Sequence, residues 1–274
     1  MMQSLVRSHS SVLCLLLLPF VISGCSTNGG GSGSGGGTGS TKTYPDSTGN
    51  WVVQATATSG TAPFTLLSGY INEQQTGTSH PTTGTFLPAS TGCYAAAANV
   101  PMNGVIQGVR LHLVSFGLDQ QVLDISAAKD DTSTHFTGTY SVTGGCADGT
   151  AGTVAGTRYS ALTGTYRGSL SADPATVVTL TLNQFALGTG EAKFLVSGFA
   201  VVAGQTCFTT GTLSTANGSV IGNHVQMSFL NSNGPKMDVT GEFDAEATTI
   251  SVSGLLFTGA GCPTNVAQAT LTKV

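Results

Sequence analysis

The fold class this chain predicts is all-β: two tandem antiparallel modules of about 110 residues, barrels or sandwiches, behind a disordered Gly/Ser linker. Three observations predict it. Apolar residues alternate with polar ones at a period of two, as in Trp51-Val53-Ala55-Ala57, Val178-Leu180-Leu182 and Val225-Met227-Phe229, which marks strands with one buried and one wet face. Turn signals such as Asn103-Gly104, Asp148-Gly149, Asn217-Gly218 and Asn233-Gly234-Pro235 interrupt those runs at short intervals. The chain also repeats itself with a period near 115 residues, far longer than any solenoid repeat.

Residues 1–24 read as a signal peptide, with Arg7 in a weakly positive start and an apolar segment from Val12 to Ile22. That segment is about 11 residues, roughly half of what a membrane-spanning helix needs. Ile22-Ser23-Gly24-Cys25 resembles a bacterial lipobox. The resemblance implies cleavage before Cys25, acylation of that cysteine with palmitate-type chains, and attachment to a membrane through the N-terminal lipid. Cys14 would leave with the leader. Ser26 rather than Asp follows Cys25, so the outer membrane is the expected address in a two-membrane bacterium, facing either the periplasm or the medium.

Residues 25–48 form a tether, almost wholly Gly, Ser and Thr from Asn28 to Lys42. Such a chain cannot bury enough apolar surface to offset its ordering entropy, and a coil of this length spans about 25–30 Å on average. Gly31, Gly33 and Gly36 match GxGxxG in form, but no strand precedes them and no helix follows, so they do not make a dinucleotide site.

Module 1 is expected over 49–160 and module 2 over 161–274. Gly49-Asn50-Trp51 recurs as Gly164-Thr165-Tyr166, Cys93-Tyr94 as Cys207-Phe208, Phe136-Thr137-Gly138 as Val252-Ser253-Gly254, and Cys146 as Cys262, at offsets of 114 to 116. Four cysteines allow three pairings. A duplicated module carries its own bridge, so Cys93–Cys146 and Cys207–Cys262 are expected, in keeping with an oxidising compartment. No Cys-x-x-Cys and no Cys/His clustering suggests a metal or redox pair.

The Gly49-Asn50-Trp51 opening resembles the first strand of the calycin barrels, lipocalins and avidins among them, and Gly164-Thr165-Tyr166-Arg167-Gly168 is similar to avidin-type strand phrases. The resemblance implies a barrel with Trp51 at its floor and a small apolar ligand inside, Trp51 being the one ligand-binding candidate. The later lipocalin signatures are missing, and Tyr166 replaces the tryptophan in the second copy.

Only 8 % of residues are charged and the net charge is −4. There is no basic patch, which argues against nucleic acid. Nucleophile-elbow, His-Glu-x-x-His and P-loop motifs are absent from the sequence, so no enzyme, metal or cofactor is expected. His80 reads as a solvated loop residue, His112 and His224 as outward-facing strand residues, and His135 as uncommitted. Asp238, Glu242 and Asp244 share one strand face by periodicity and read as a solvated outer stripe, with a cation or glycosidase-like site as the functional alternative. Phe64, Leu66, Phe86, Leu111, Leu113, Phe194, Val196, Phe199, Phe229 and Phe243 are expected to fill the interiors. The expected function is a non-enzymatic, lipid-anchored envelope protein presenting two β modules for interaction or a structural role. Binding of a small apolar ligand inside the barrels is the alternative.

Overall fold

The computed structural model describes residues 43–89, 93–94, 99–118, 120–186 and 190–274. Cys25, the leader and the tether up to residue 42 lie outside the described residues. The first barrel runs β1 (Gly49–Ser59), β2 (Leu66–Glu73), β3 (His80–Pro88), β4 (Val100–Gln107), β5 (Arg110–Ser115), β6 (Val122–Lys129), β7 (His135–Thr143) and β8 (Ala151–Tyr159). Each strand pairs antiparallel with the next, and β8 returns to β1 to close the ring.

The second barrel repeats this plan with β9 (Gly164–Ser169), β10 (Val177–Gln184), β11 (Phe194–Ala203), β12 (Thr210–Leu213), β13 (Gly218–Ile221), β14 (His224–Leu230), β15 (Lys236–Phe243), β16 (Thr249–Thr258) and β17 (Ala267–Lys273). β12 and β13 together occupy one strand position between β11 and β14, and β17 closes onto β9. Both modules are therefore eight-position barrels rather than sandwiches. Short hairpin links allow this up-and-down course, and closure removes the strand edges that an open sheet would expose.

An eight-stranded barrel is just narrow enough for side chains to fill. In the first, Trp51, Val53, Leu67, Ile71, Phe86, Met102, Leu113, Ile125, Phe136 and Val154 point inward and are buried. In the second, Tyr166, Leu180, Val196, Met227, Phe229, Val239, Leu255 and Leu271 do so. Large rings fit because glycines face them. Gly69 is the cross-strand partner of both Trp51 and Phe86. A Cβ at Gly156 would lie 2.3 Å from the ring of its partner Phe136. A ring laid over a glycine covers exposed backbone and lets the strands curl.

Two assignments to the interior need correction: Leu66 is only half-buried, and Phe199 faces outward with 41 % of its surface exposed, whereas Phe64 packs inside as expected, from the β1–β2 loop. Phe199 lies at an odd position of β11, whose even positions Phe194, Val196, Ala200 and Val202 carry the core. Its size in an apolar-rich strand concealed that parity.

The two barrels form one compact unit, Lys42–Val274. Asn50, Val52, Ser68 and Tyr70 take the outward positions of β1 and β2 yet are buried. They meet the second barrel. Asn50 Nδ2 donates to Gln184 Oε1 at 3.1 Å while Gln184 Nε2 donates to Asn50 Oδ1 at 3.3 Å. Tyr70 packs edge-on against Phe194 at 5.6 Å. The β13–β14 turn comes so close that a Cβ at Gly222 would lie 2.9 Å from Val52. At the position equivalent to Asn50, the Thr165 hydroxyl shares a hydrogen bond with that of its cross-strand neighbour Thr181, on an exposed face. The module copies thus diverge where one covers the other.

Candidate functional site

The densest polar construction closes the floor of the first barrel, where the chain arrives from the tether. Every carbonyl of the strap Pro45–Thr48 is held. Pro45 O accepts from Lys129 Nζ at 3.1 Å and Ser133 Oγ at 2.7 Å. Asp46 O and Thr48 O accept from the two terminal nitrogens of Arg158 at 2.7 and 2.6 Å, and Ser47 O accepts from Trp51 Nε1 at 2.8 Å. Beneath the strap, the fully shielded Glu73 carboxylate accepts from Ser47 N at 2.6 Å and Gln75 Nε2 at 2.8 Å, and pairs with His80 Nδ1 at 2.5 Å. Lys129 Nζ lies 3.8 Å from it.

Charge-assisted bonds of this kind are roughly twice as strong as neutral ones. Burial pushes the Lys129 ammonium below its ordinary value, against the pull of Glu73 and Asp46. Burial also lowers Arg158, again opposed by Asp46 and Glu73, but guanidinium stays charged throughout the range of protein chemistry. The carboxylate oxygens of Glu73 are engaged by strap and side-chain donors, so the cluster serves to fasten the chain.

Trp51 is buried at the strap end of the first barrel, with its ring 5.1 Å from that of Phe136 and Arg158 as its cross-strand partner on β8. Gly49 has φ 155°, and a Cβ there would meet Arg158 Nε at 2.9 Å, which explains the glycine of the Gly-x-Trp phrase. The second copy reuses the plan: Gly164 has φ 124°, Lys273 pairs across from Tyr166, and Tyr166 donates its hydroxyl to Ala247 O at 2.8 Å. Burial raises Tyr166 to about 12, with Asp244 adding to it.

Sequence reasoning missed Arg158, Lys129 and Glu73, because they lie on three different strands and no local pattern joins them. It also missed a duplicated turn. Thr134 N and Oγ1 donate to Asp130 at 2.9 and 3.0 Å, and Thr248 N donates to Asp244 at 2.6 Å with Thr248 Oγ1 on the other carboxylate oxygen. Asp-x-x-x-Thr recurs at the repeat offset, and Ser133 and Ala247, at φ 55° and 52°, close the two turns alike. That recurrence was a readable signal.

The same turn corrects the acidic stripe. Asp238 and Glu242 face outward on β15, but the strand ends at Phe243 and Asp244 belongs to the turn. Asp238 is engaged by Ser228 and by Lys236 at 2.9 Å, and Glu242 by His224 at 3.3 Å. His80 is corrected too: it opens β3, has a side chain only 19 % exposed, and bonds the buried Glu73. His112 faces outward as expected and pairs with Asp124 at 3.0 Å, while His135 lies 3.3 Å from Asp130.

At the opposite ends of the barrels, disulfides join Cys93 to Cys146 and Cys207 to Cys262. Each seats the following aromatic residue: Tyr94 stacks on Phe64 at 6.0 Å and Phe208 packs on Phe257 at 5.9 Å. Burial raises Tyr94 to about 12, with Tyr140 adding to it, and the hydroxyls of both tyrosines are buried without a hydrogen-bond partner.

Clefts lie on the outer faces of both barrels. One of about 540 Å³ runs over β4–β7 of the first barrel, past Gln107, Arg110, His112, Ser126 and Thr139. Another of about 360 Å³ lies on the second barrel between Phe199, Thr212, Leu230 and Asn231. Fold and site define a class: a disulfide-braced pair of antiparallel barrels with its N-terminal strap locked into one floor. The chain matches no protein-family model and no curated protein sequence.

Proposed function

We propose that this is a non-enzymatic, lipid-anchored protein of the bacterial cell envelope, held through acylated Cys25 and presenting its two barrels for interaction or as a structural element. The observation that carries the reading is the strap. The chain that follows the Gly/Ser tract is fastened at every carbonyl from Pro45 to Thr48, as suits a domain held by its N-terminal end. The lipobox-like Ile22-Ser23-Gly24-Cys25 supplies the anchor, the palmitate and the outer-membrane address. Interiors packed with large side chains favour interaction through outer surfaces.

The experiment is fractionation of cells producing the protein and its Cys25→Ser variant, with mass spectrometry of the N-terminal peptide. Wild type should sediment with outer membranes and carry acyl chains; the variant should be soluble. A wild-type chain with unmodified Cys25 ends the proposal.

One observation favours the second reading, a small ligand inside a calycin-like barrel. Buried polar groups nearly always find partners, and the unpartnered Tyr94 and Tyr140 hydroxyls lie within the first barrel, with no counterpart among the described residues of the second. Native mass spectrometry of protein extracted from its own membrane, showing a stoichiometric small molecule, would establish it.

A further inference from the structure

The second barrel has an outer face shaped by its broken strand. β11 pairs with β13 through Leu195↔Ser219 and with β12 through Phe199↔Thr212, leaving Ser214–Asn217 between the two pieces. On the far side, β14 pairs Gln226 with Ser219 and Leu230 with Thr212. Outward side chains therefore stand in parallel rows: Leu195, Ser219 and Gln226 in one, Phe199, Thr212 and Leu230 in another. Clefts of about 300 and 360 Å³ open along this face, the first over Asn217, Ser219, Gln226 and Ser228, the second beside Phe199, Leu230 and Asn231. From Leu195 to Val201 the face is about 20 Å long at strand rise.

Its chemistry is narrow. Phe199, Val201 and Leu230 are 41, 42 and 45 % exposed, and Phe199 and Leu230 line the same cleft. Around them stand Thr210, Thr212, Asn217, Ser219, Gln226, Asn231 and Ser232, all neutral hydroxyls and amides. Charge enters at the first cleft, whose lining includes Lys193 and whose Ser228 bonds Asp238, itself paired with Lys236; the second cleft is lined by neutral residues alone.

We propose that this face binds a neutral glycan chain. The apolar faces of sugar rings would lie on Phe199 and Leu230, and their hydroxyls would exchange hydrogen bonds with the flanking amides and hydroxyls. A sugar chain presents that alternation of apolar ring face and uncharged hydroxyl along its length. Ring closure at β9–β17 and β10–β11 leaves no free strand edge, so a peptide could not be gripped by strand addition, the usual mode for sheet proteins. The outer cleft of the first barrel, over β4–β7, differs in carrying Arg110 and His112 in its lining. The proposal rests on the interaction reading above, and it names the partner class of the second barrel.

The test uses the full chain with Cys25→Ser, so that its outcome does not depend on the lipid anchor. Titration with cellohexaose, maltohexaose and chitohexaose, followed by calorimetry and by NMR, should give saturable binding to at least one, with a dissociation constant on the order of 0.1–1 mM. Phe199→Ala and Leu230→Ala should each weaken it at least tenfold, while Phe116→Ala, an equally exposed ring on the first barrel, should leave it unchanged. Circular dichroism checks that the variants stay folded. The proposal is overturned if none of the three sugars binds, or if binding survives both face variants. It is equally overturned if the chain instead sediments with phosphatidylcholine vesicles in a Phe199-dependent way. Failure here leaves the anchored-protein reading standing, because fractionation of the Cys25→Ser variant tests that separately.

Discussion

Lys129→Met and Glu73→Gln, alone and together, probe the floor clamp most directly. Lys129 gives up bonds to Pro45 O and Ser47 Oγ and leaves the Glu73 carboxylate without its ammonium neighbour. Breaking a buried ion pair from one side costs about 3–5 kcal/mol. Ser47 N, Gln75 and His80 still serve Glu73, which places the loss at the lower end, near 3 kcal/mol. Glu73→Gln keeps an acceptor for Ser47 N but strands a buried ammonium, and a similar loss is expected. In the double variant neither charge remains, so its cost should fall short of the sum by about 1–3 kcal/mol. The assay is urea unfolding followed by the fluorescence of Trp51, the one tryptophan of the chain, whose indole bonds the strap itself. At a slope near 2 kcal/mol/M, each single variant should lower the midpoint by about 1.5 M. Additive costs, to within about 0.5 kcal/mol, would refute the coupling, and unchanged midpoints would refute the clamp.

Hydrogen bonds from Thr134 and from His135 N–H outweigh the upward push of burial and hold Asp130 down to about 2; Asp244 is lowered in the same way through Thr248 and Thr249. A carboxylate with a depressed pKa stabilises the fold above its unfolded value and loses that contribution as pH falls toward the folded one. Asp130→Asn should therefore cost about 1 kcal/mol at pH 7, after allowance for solvent screening, and almost nothing near pH 2. Thermal unfolding across that range measures it, and a pH-independent cost would contradict the assignment. Gln184→Ala leaves Asn50 and the Leu162 N–H without their buried partner, at about 1–3 kcal/mol, and should speed hydrogen exchange at the Leu162 amide. Unaltered exchange there would show the inter-barrel contact to be dispensable. Cys93→Ser with Cys146→Ser opens a loop closed across 53 positions and should cost about 4 kcal/mol in the chain-entropy picture, read from Tm in oxidising buffer. A Tm equal to wild type under those conditions would contradict a structural role.

Legibility in the sequence followed the range of the interaction. The strand pattern, the duplication and both disulfide pairings were readable, because alternation is local and a repeat displays its own correspondences. Glu73, Lys129 and Arg158 were not, since only barrel closure brings β2, β6 and β8 together at the strap. Nor was the orientation of Phe199, where one apolar residue out of phase in an apolar strand looks like core. The acidic stripe failed for a related reason: periodicity was carried one residue past the end of β15, into a turn whose carboxylate works on Thr248.

By itself the sequence determined the class of structure, the two copies and their bridges, because burying one face of each strand admits few alternatives once turns fall at fixed intervals. Tertiary structure alone decided that the modules are closed barrels and that they form one body. Those outcomes depend on which outward residues meet another surface. Asn50 and Tyr70 occupy outward positions of β1 and β2, and they are buried because the second barrel's Gln184 and Phe194 cover them. No local pattern encodes that contact; it arises when two ends of a folded chain, 134 residues apart, are brought into hydrogen-bonding distance.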